Sequence, residues 1–338
     1  MANLTATQLL KAITKASGTI MSEAEMRAYQ HSLVGKLIGN ENEVFQNVNG
    51  LKQSLEQPTK AILFNRQSIA SGTAKVAAHT GAAADSFEVD IAYIQRVQTF
   101  QISYKRIANN QFTYQEVLNN KLKQAVMNLY DDISTYAVGW LATNRSQLAD
   151  DSLILFDEIT NYQFDNVLAD NDLLFDNMKA AFRTNKYNGM IDLVGDMRVG
   201  QDFRRLGAQG SGNSTNLAYQ IPGIDFVEEP QIAIAASGTA YGWQKGLVGM
   251  TSWNEALNKQ GFGTPDDNKG LFTTVQDPIF GLMHDVHIKS DIADTSGANG
   301  NPQDVVEEYE ISTIFTIQGA FESTATQTPI YRFVQAKS

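Results

Sequence analysis

Between Tyr114 and Gln147, apolar side chains recur at Leu118, Leu122, Ala125, Leu129, Ile133, Tyr136 and Trp140. The steps of four, three, four, four, three and four residues follow the period of an α-helix. Thr113 followed by Glu116 has the form of a capping box, in which hydroxyl and carboxylate each satisfy a free amide. The stretch holds no proline, and its only glycine is Gly139. A helix over 114–146 would be roughly 50 Å long, far beyond the usual length of about a dozen residues.

The flanks read differently. Residues 1–57 lack proline and carry two helical patterns. One uses Leu9, Leu10 and Ile13. The other starts at Ser22 and Glu25, a second capping-box pair, and runs through Met26, Tyr29, Leu33 and Leu37. This segment is either a small helical domain or an arm that packs on something else. Residues 60–85 are rich in Ala, Ser, Gly and Thr, a composition that buries little and fits an exposed excursion. Then Phe87, Val89, Ile91 and Tyr93 alternate, and after a change of phase Phe100, Ile102 and Tyr104 alternate. That predicts two strands, or one with a bulge, just before the long helix.

Residues 150–169 form a loop-rich joint. Residues 172–186 predict a helix with Leu174, Met178, Ala181 and Phe182 on one face, closed by Asn188-Gly189. MIDLV is a short buried strand and DMRVGQDFRRL a second helix, followed by the glycine-rich GAQGSGN and a run of short strands. The mixture predicts an α/β or α+β domain over about residues 160–290. Near the carboxyl end, Tyr309, Ile311, Thr313, Phe315 and Ile317 alternate, and IYRFVQAKS supplies a last strand. The simplest arrangement pairs both terminal strands with the strands before the long helix. No internal repeat is visible.

Composition narrows the functional classes. Of 338 residues, 43% are hydrophobic, ample for a core. Lys plus Arg number 26 against 37 Asp plus Glu, for a net charge of −11. Such a surface repels phosphate and speaks against wrapping nucleic acid as the main task. The absence of cysteine removes disulfides, thiolate metal sites and thiol nucleophiles. The first residues have neither the basic start nor the continuous apolar stretch of a secretory signal. No window approaches eighteen consecutive apolar residues, so no membrane span or membrane partner is expected.

Candidate chemistry is sparse. His284 and His287 flank Asp285 at a spacing that would present both to a metal on a helix. Their surroundings look strand-like, which points them to opposite faces, and no third ligand is evident. GAQGSGN, residues 207–213, lacks the lysine and hydroxyl residue of a phosphate loop. Asp291, Asp294 and Gly297 miss the alternate-residue ligand pattern of a calcium loop. Asp131 and Asp132 are sequence neighbours on the long helix and do not share a face as a paired acid and base. No catalytic, cofactor-binding or metal-binding residue is assigned, and no cofactor or enzymatic role is expected.

The order of features resembles that of tailed-bacteriophage major capsid proteins of the HK-ninety-seven-type shell fold. The resemblance is carried by FEVDIAYIQRVQTFQISYKRIANNQFTYQEV running into the long helix, by KYNGMIDLVGDMRVGQDFRRL as a central strand and helix, and by IPGIDFVEEPQIA after the glycine-rich stretch. It implies an α+β shell fold with a helical N-terminal arm over 1–57 and an E-loop over 58–95. A peripheral domain over 96–160 would carry the spine helix at 114–146, an axial domain would cover 161–299, and return strands of the peripheral domain 300–338.

It also implies a function: a major capsid protein that self-assembles as hexamers and pentamers into an icosahedral shell around double-stranded DNA. The implied partners are further copies of the chain, with portal, scaffold and cement proteins, and packaged DNA held without sequence-specific contacts. The implied location is the virion, after assembly in the host bacterial cytoplasm. On this reading Ile62, Leu63, Phe64 and Ile69 would be buried between chains. Lys60 and Lys75 lie in the E-loop, with no partner identified for a covalent link. The alternatives are an encapsulin-like nanocompartment shell, which shares the fold, and a soluble enzyme or binding protein with a site near residues 200–250.

Overall fold

The computed structural model describes residues 11–12, 31–39, 44, 59–64, 86–104, 113–147, 156–158, 164–166, 173–210, 221–233, 238–254, 270–276, 279–293, 304–321 and 328–335. Its helices are α1 (Leu33–Gly39), α2 (Tyr114–Thr143), α3 (Leu174–Thr184) and α4 (Met197–Gly210). A hairpin pairs β1 (Lys60–Phe64) with β2 (Ser86–Asp90). β3 (Ile94–Ser103) follows after three residues, so the phase change marks two strands. Further along lie β4 (Phe156–Glu158), β5 (Phe164–Asn166), β6 (Ile191–Gly195), β7 (Ile224–Glu228) and β8 (Thr239–Gln244). β9 (Val248–Trp253), β10 (Leu271–Gln276), β11 (Met283–Ala293), β12 (Asp304–Gly319) and β13 (Tyr331–Val334) complete the set.

α2 is the beam of the molecule. Thr113 accepts the Glu116 amide while the Glu116 carboxylate accepts the Thr113 amide at 2.7 Å, the capping box read from sequence. The helix has 30 residues and so runs about 45 Å. It ends at Thr143, three residues short of the expected 146. There the amide and the side-chain amide of Asn144 both donate to the Trp140 carbonyl and close the last turn.

One face of α2 buries Leu118, Leu122, Leu129, Ile133 and Leu141 against an antiparallel sheet in the order β10-β11-β12-β3, with β9 continuing on β12. β3 and β12 pair from Ile94↔Phe315 to Ser103↔Val306. The terminal strand β12 thus does pair with the strand before the long helix. β13 does not: it sits in the second sheet, between β5 and β8. Phe333 and Tyr331 explain the difference, since both pack on Phe164 and Phe182 in the other core.

The second sheet has the order β4-β5-β13-β8-β6-β7 and mixes parallel and antiparallel pairs. All five residues of β6 are buried. Ile191 and Leu193 face α3 and α4, while Val194, with Tyr241 and Trp243 of β8, faces the core beneath α2. Gly242 allows a close approach on the first face: a Cβ there would stand 3.2–3.3 Å from Leu193 and the Phe182 ring.

α1 packs on the body of its own chain. Leu33, Val34 and Leu37 are buried in the main core of their own chain. The earlier helical patterns, apart from Lys11 and Ala12, lie outside the described residues. The hairpin also makes a local core, of Leu63, Ala61, Val89 and Ile91 with Val44. Leu63 is therefore buried within its own chain rather than between chains, whereas Ile62 is 66% exposed. The Phe64 side chain and Ile69 fall outside what is described.

Candidate functional site

Three polar clusters stand where the layers meet, and each is built by residues distant in sequence. The first pins α1. Lys36 is the basic residue of that short helix, and Ser32 caps its start by accepting the Gly35 amide at 3.3 Å. The Lys36 ammonium lies 2.7 Å from Asp225 on β7 and 3.4 Å from Asp192 on β6. Asp192 alternates with Leu193 on β6, so it points away from α3 and toward α1. Asp225 is 44% exposed on its side chain, so its half of the cluster is screened by solvent.

The second cluster centres on Glu229, just after β7. Its carboxylate accepts the Ser134 hydroxyl of α2 at 3.2 Å, the Gln231 amide at 3.2 Å and the Leu33 amide. Burial pushes its pKa up, and Asp131 adds to that, while the three donors oppose it. Burial and the adjacent Asp132 likewise raise Asp131. A cavity of about 550 Å³ opens here, lined by His31, Val34, Tyr130, Asp131, Ser134 and Glu229 among others.

The third cluster ties the start of α2 to the sheet. Glu307 on β12 is buried and accepts hydroxyls from Tyr104, Tyr114 and Tyr309, the last at 2.9 Å. Burial is the first cause raising the Tyr114 and Tyr309 pKa values, with the Glu307 charge adding to it, so both phenols stay protonated donors. Alternation alone assigned Tyr309 to the buried face. Glu307 shares that face, and no sequence signal reveals the three phenols that make its burial tolerable.

The histidines of the sequence reading separate. β11 is a strand, as its surroundings indicated. His284 is buried and shares a hydrogen bond of 2.5 Å with the Thr313 hydroxyl, while His287 stacks on Phe272 at 4.4 Å. Among the described residues, no group of three or more His, Asp or Glu is placed to hold a metal ion. Gly207 to Gly210 belong to α4, so the glycine-rich stretch begins inside a helix; its last residues are not described. Asp291 pairs with Val306 in the sheet, whereas Asp294 and Gly297 lie outside the description. Asp132 accepts Gln98 of β3 at 2.7 Å and helps seat the sheet on α2. Lys60 forms an ion pair with Glu88 across the hairpin; Lys75 lies outside the described residues. Among the described residues, no helix is long and apolar enough to cross a membrane.

A long helix laid on an antiparallel sheet, a mixed sheet with two helices on one face, and an extended hairpin define an α+β chain with the phage capsid shell fold. That fold is shared with a solved structure from Mycobacterium phage Che8, at a TM-score of 0.53 and 10% identity over 89% of this chain and 90% of that one. A structure from Gordonia phage Cozz matches at a TM-score of 0.45 and 10% identity over 89% and 83%. The asymmetric unit of the bacteriophage PhiM1 mature capsid matches at 0.42 and 13% over 85% and 83%. No family model matches the sequence, and no curated protein does.

Proposed function

We infer that this chain is the repeating subunit of a tailed-phage capsid, a structural protein that assembles with copies of itself into an icosahedral shell around double-stranded DNA. The reading is carried by the fold shared with the Mycobacterium phage Che8 structure along nearly nine-tenths of both chains. The polar clusters support it too, since each joins elements of different layers.

On this reading the β1–β2 hairpin is the base of the E-loop, α2 with the β3–β12 sheet is the peripheral domain, and the sheet carrying α3 and α4 is the axial domain. Portal, scaffold and cement proteins would be further partners, and packaged DNA would be contacted without sequence preference. The virion is the destination, and the host cytoplasm the place of assembly.

The test is sedimentation and negative-stain microscopy of the purified full chain. Megadalton shells or hexameric capsomers are expected. A compact monomer at every concentration overturns the reading. Shells of uniform small size that enclose a co-expressed enzyme instead of DNA would favour a nanocompartment.

A further inference from the structure

We propose that the outer edge of β3 pairs with the same edge of a second copy of this chain, merging two sheets into one across a twofold axis. The inference rests on the self-assembling reading above and adds the surface through which two copies meet.

β3 is the last strand of its sheet. Its inner edge pairs with β12 along its whole length, whereas its outer edge pairs with no strand among the described residues. From Ile94 to Ile102 the extended backbone offers its outer amides and carbonyls as a template for another strand. Proteins that keep such an edge solitary guard it with lysines, proline or a bulge. β3 reads IQRVQTFQIS and has no lysine or proline, and its pairing with β12 runs without a register shift. Its single charge, Arg96, lies over the Tyr136 ring of α2 at 5.6 Å and is thus turned onto its own subunit.

The chemistry of the strand selects a second copy as the occupant. A chain of net charge −11 repels its copies on most approaches. The exposed row of β3 is Gln95, Val97, Thr99 and Gln101, all uncharged, with Val97 an exposed apolar residue at 40%. An antiparallel copy on an axis through Gln98 sets Val97 opposite Thr99 and Gln95 opposite Gln101, with no like charges opposed. Glu308 and Glu310 lie one strand further back, so they stand about 10 Å from the incoming strand. That is about one Debye length at ordinary ionic strength. The match in length also favours β3 itself, since the hairpin strands have five residues each and would fill half of the edge.

The chain has no cysteine, so introduced ones report without background. Full-length Val97→Cys, Thr99→Cys and Ile62→Cys proteins are treated with a short bismaleimide, singly and mixed, and read on denaturing gels. Thr99→Cys alone, or Val97→Cys mixed with Thr99→Cys, is expected to convert most of the chain to covalent dimers. Absence of dimers from both overturns the proposal. So does cross-linking of β3 cysteines only to Ile62→Cys, which would place a neighbour's hairpin on this edge.

A Val97→Lys/Thr99→Lys double variant guards the edge on its exposed row. It is expected to keep its circular dichroism and melting temperature and to lose pairing by roughly tenfold or more. Unchanged assembly of this variant also overturns the proposal. The two readings fail separately. Thr99→Cys chains that cross-link through β3, from a protein whose wild type never exceeds a dimer, end the shell reading alone. Shells that form normally from the double-lysine variant end this inference alone.

Discussion

Lys36 on α1 and Asp192 on β6 are 156 positions apart in sequence, and their side chains meet at 3.4 Å in the interior. This contact, with the Leu33 and Leu37 side chains buried beside it, holds the amino-terminal helix on the body of its own subunit. Lys36→Met keeps the apolar stem and removes the charge that faces the buried Asp192. The expected loss is about 2–4 kcal/mol, because breaking a buried pair leaves a desolvated charge behind. Urea denaturation measures it. Adding Asp192→Asn to Lys36→Met is expected to recover part of the loss, and strictly additive costs would argue that the two side chains do not interact.

Glu229 sets a pH dependence of definite sign. Its pKa is raised in the folded protein, first by burial. Between the ordinary carboxylate range and that raised value, the folded state therefore binds more protons than the unfolded state. Stability from this site is greater on the acid side and falls as pH rises through the window. Asp131, shifted in the same direction, adds to the slope. Glu229→Gln cannot ionise, so its melting temperature should change less over that interval than the wild type's. Identical slopes for the two proteins would refute the assignment.

Asp196 joins a helix to a strand. One carboxylate oxygen accepts the Val199 amide at 3.0 Å and caps α4; the other accepts the Thr239 amide at the start of β8 at 2.9 Å. Asp196 is fully buried, so alanine there leaves two amides without acceptor or water. The cost expected for Asp196→Ala is about 2–3 kcal/mol. Asn retains one acceptor and should fall between. Chemical denaturation ranks the three proteins.

Ile133 lies in the middle of α2, fully buried in the main core. Ile133→Ala should cost about 2–4 kcal/mol through lost transfer energy and the cavity left behind. If α2 is the common beam, both sheets melt together at a lower temperature. A two-step melt, with the α3–α4 layer unaffected, would show that the layers are independent.

Local pattern carried much of the fold. Thr113 and Glu116 announced the start of α2 because a capping box acts within four residues. Alternation announced β3 and β12 because Ile102, Tyr309, Ile311 and Phe315 turn into the main core with a period of two. The short strand β6 was legible from Ile191, Leu193 and Val194, whereas the burial of Asp192 within it was not. β13 was misplaced because its alternation states which side chains are buried and not which sheet receives them. Only Phe164 and Phe182, more than a hundred residues upstream, make that choice.

The clusters were hidden for a related reason. Lys36 reads as an ordinary solvated lysine until β6 and β7 bring Asp192 and Asp225 to it. Glu307 reads as one acid in an acidic run until three tyrosines close on it. Sequence by itself determined the helix, the strands and the absence of thiol chemistry, because those depend on neighbours a few positions away and on composition. Tertiary structure alone decided which sheet each strand joins, that α1 folds back, and that among the described residues no strand covers the outer edge of β3. Those outcomes depend on desolvation and on charges that meet only once distant segments share one interior.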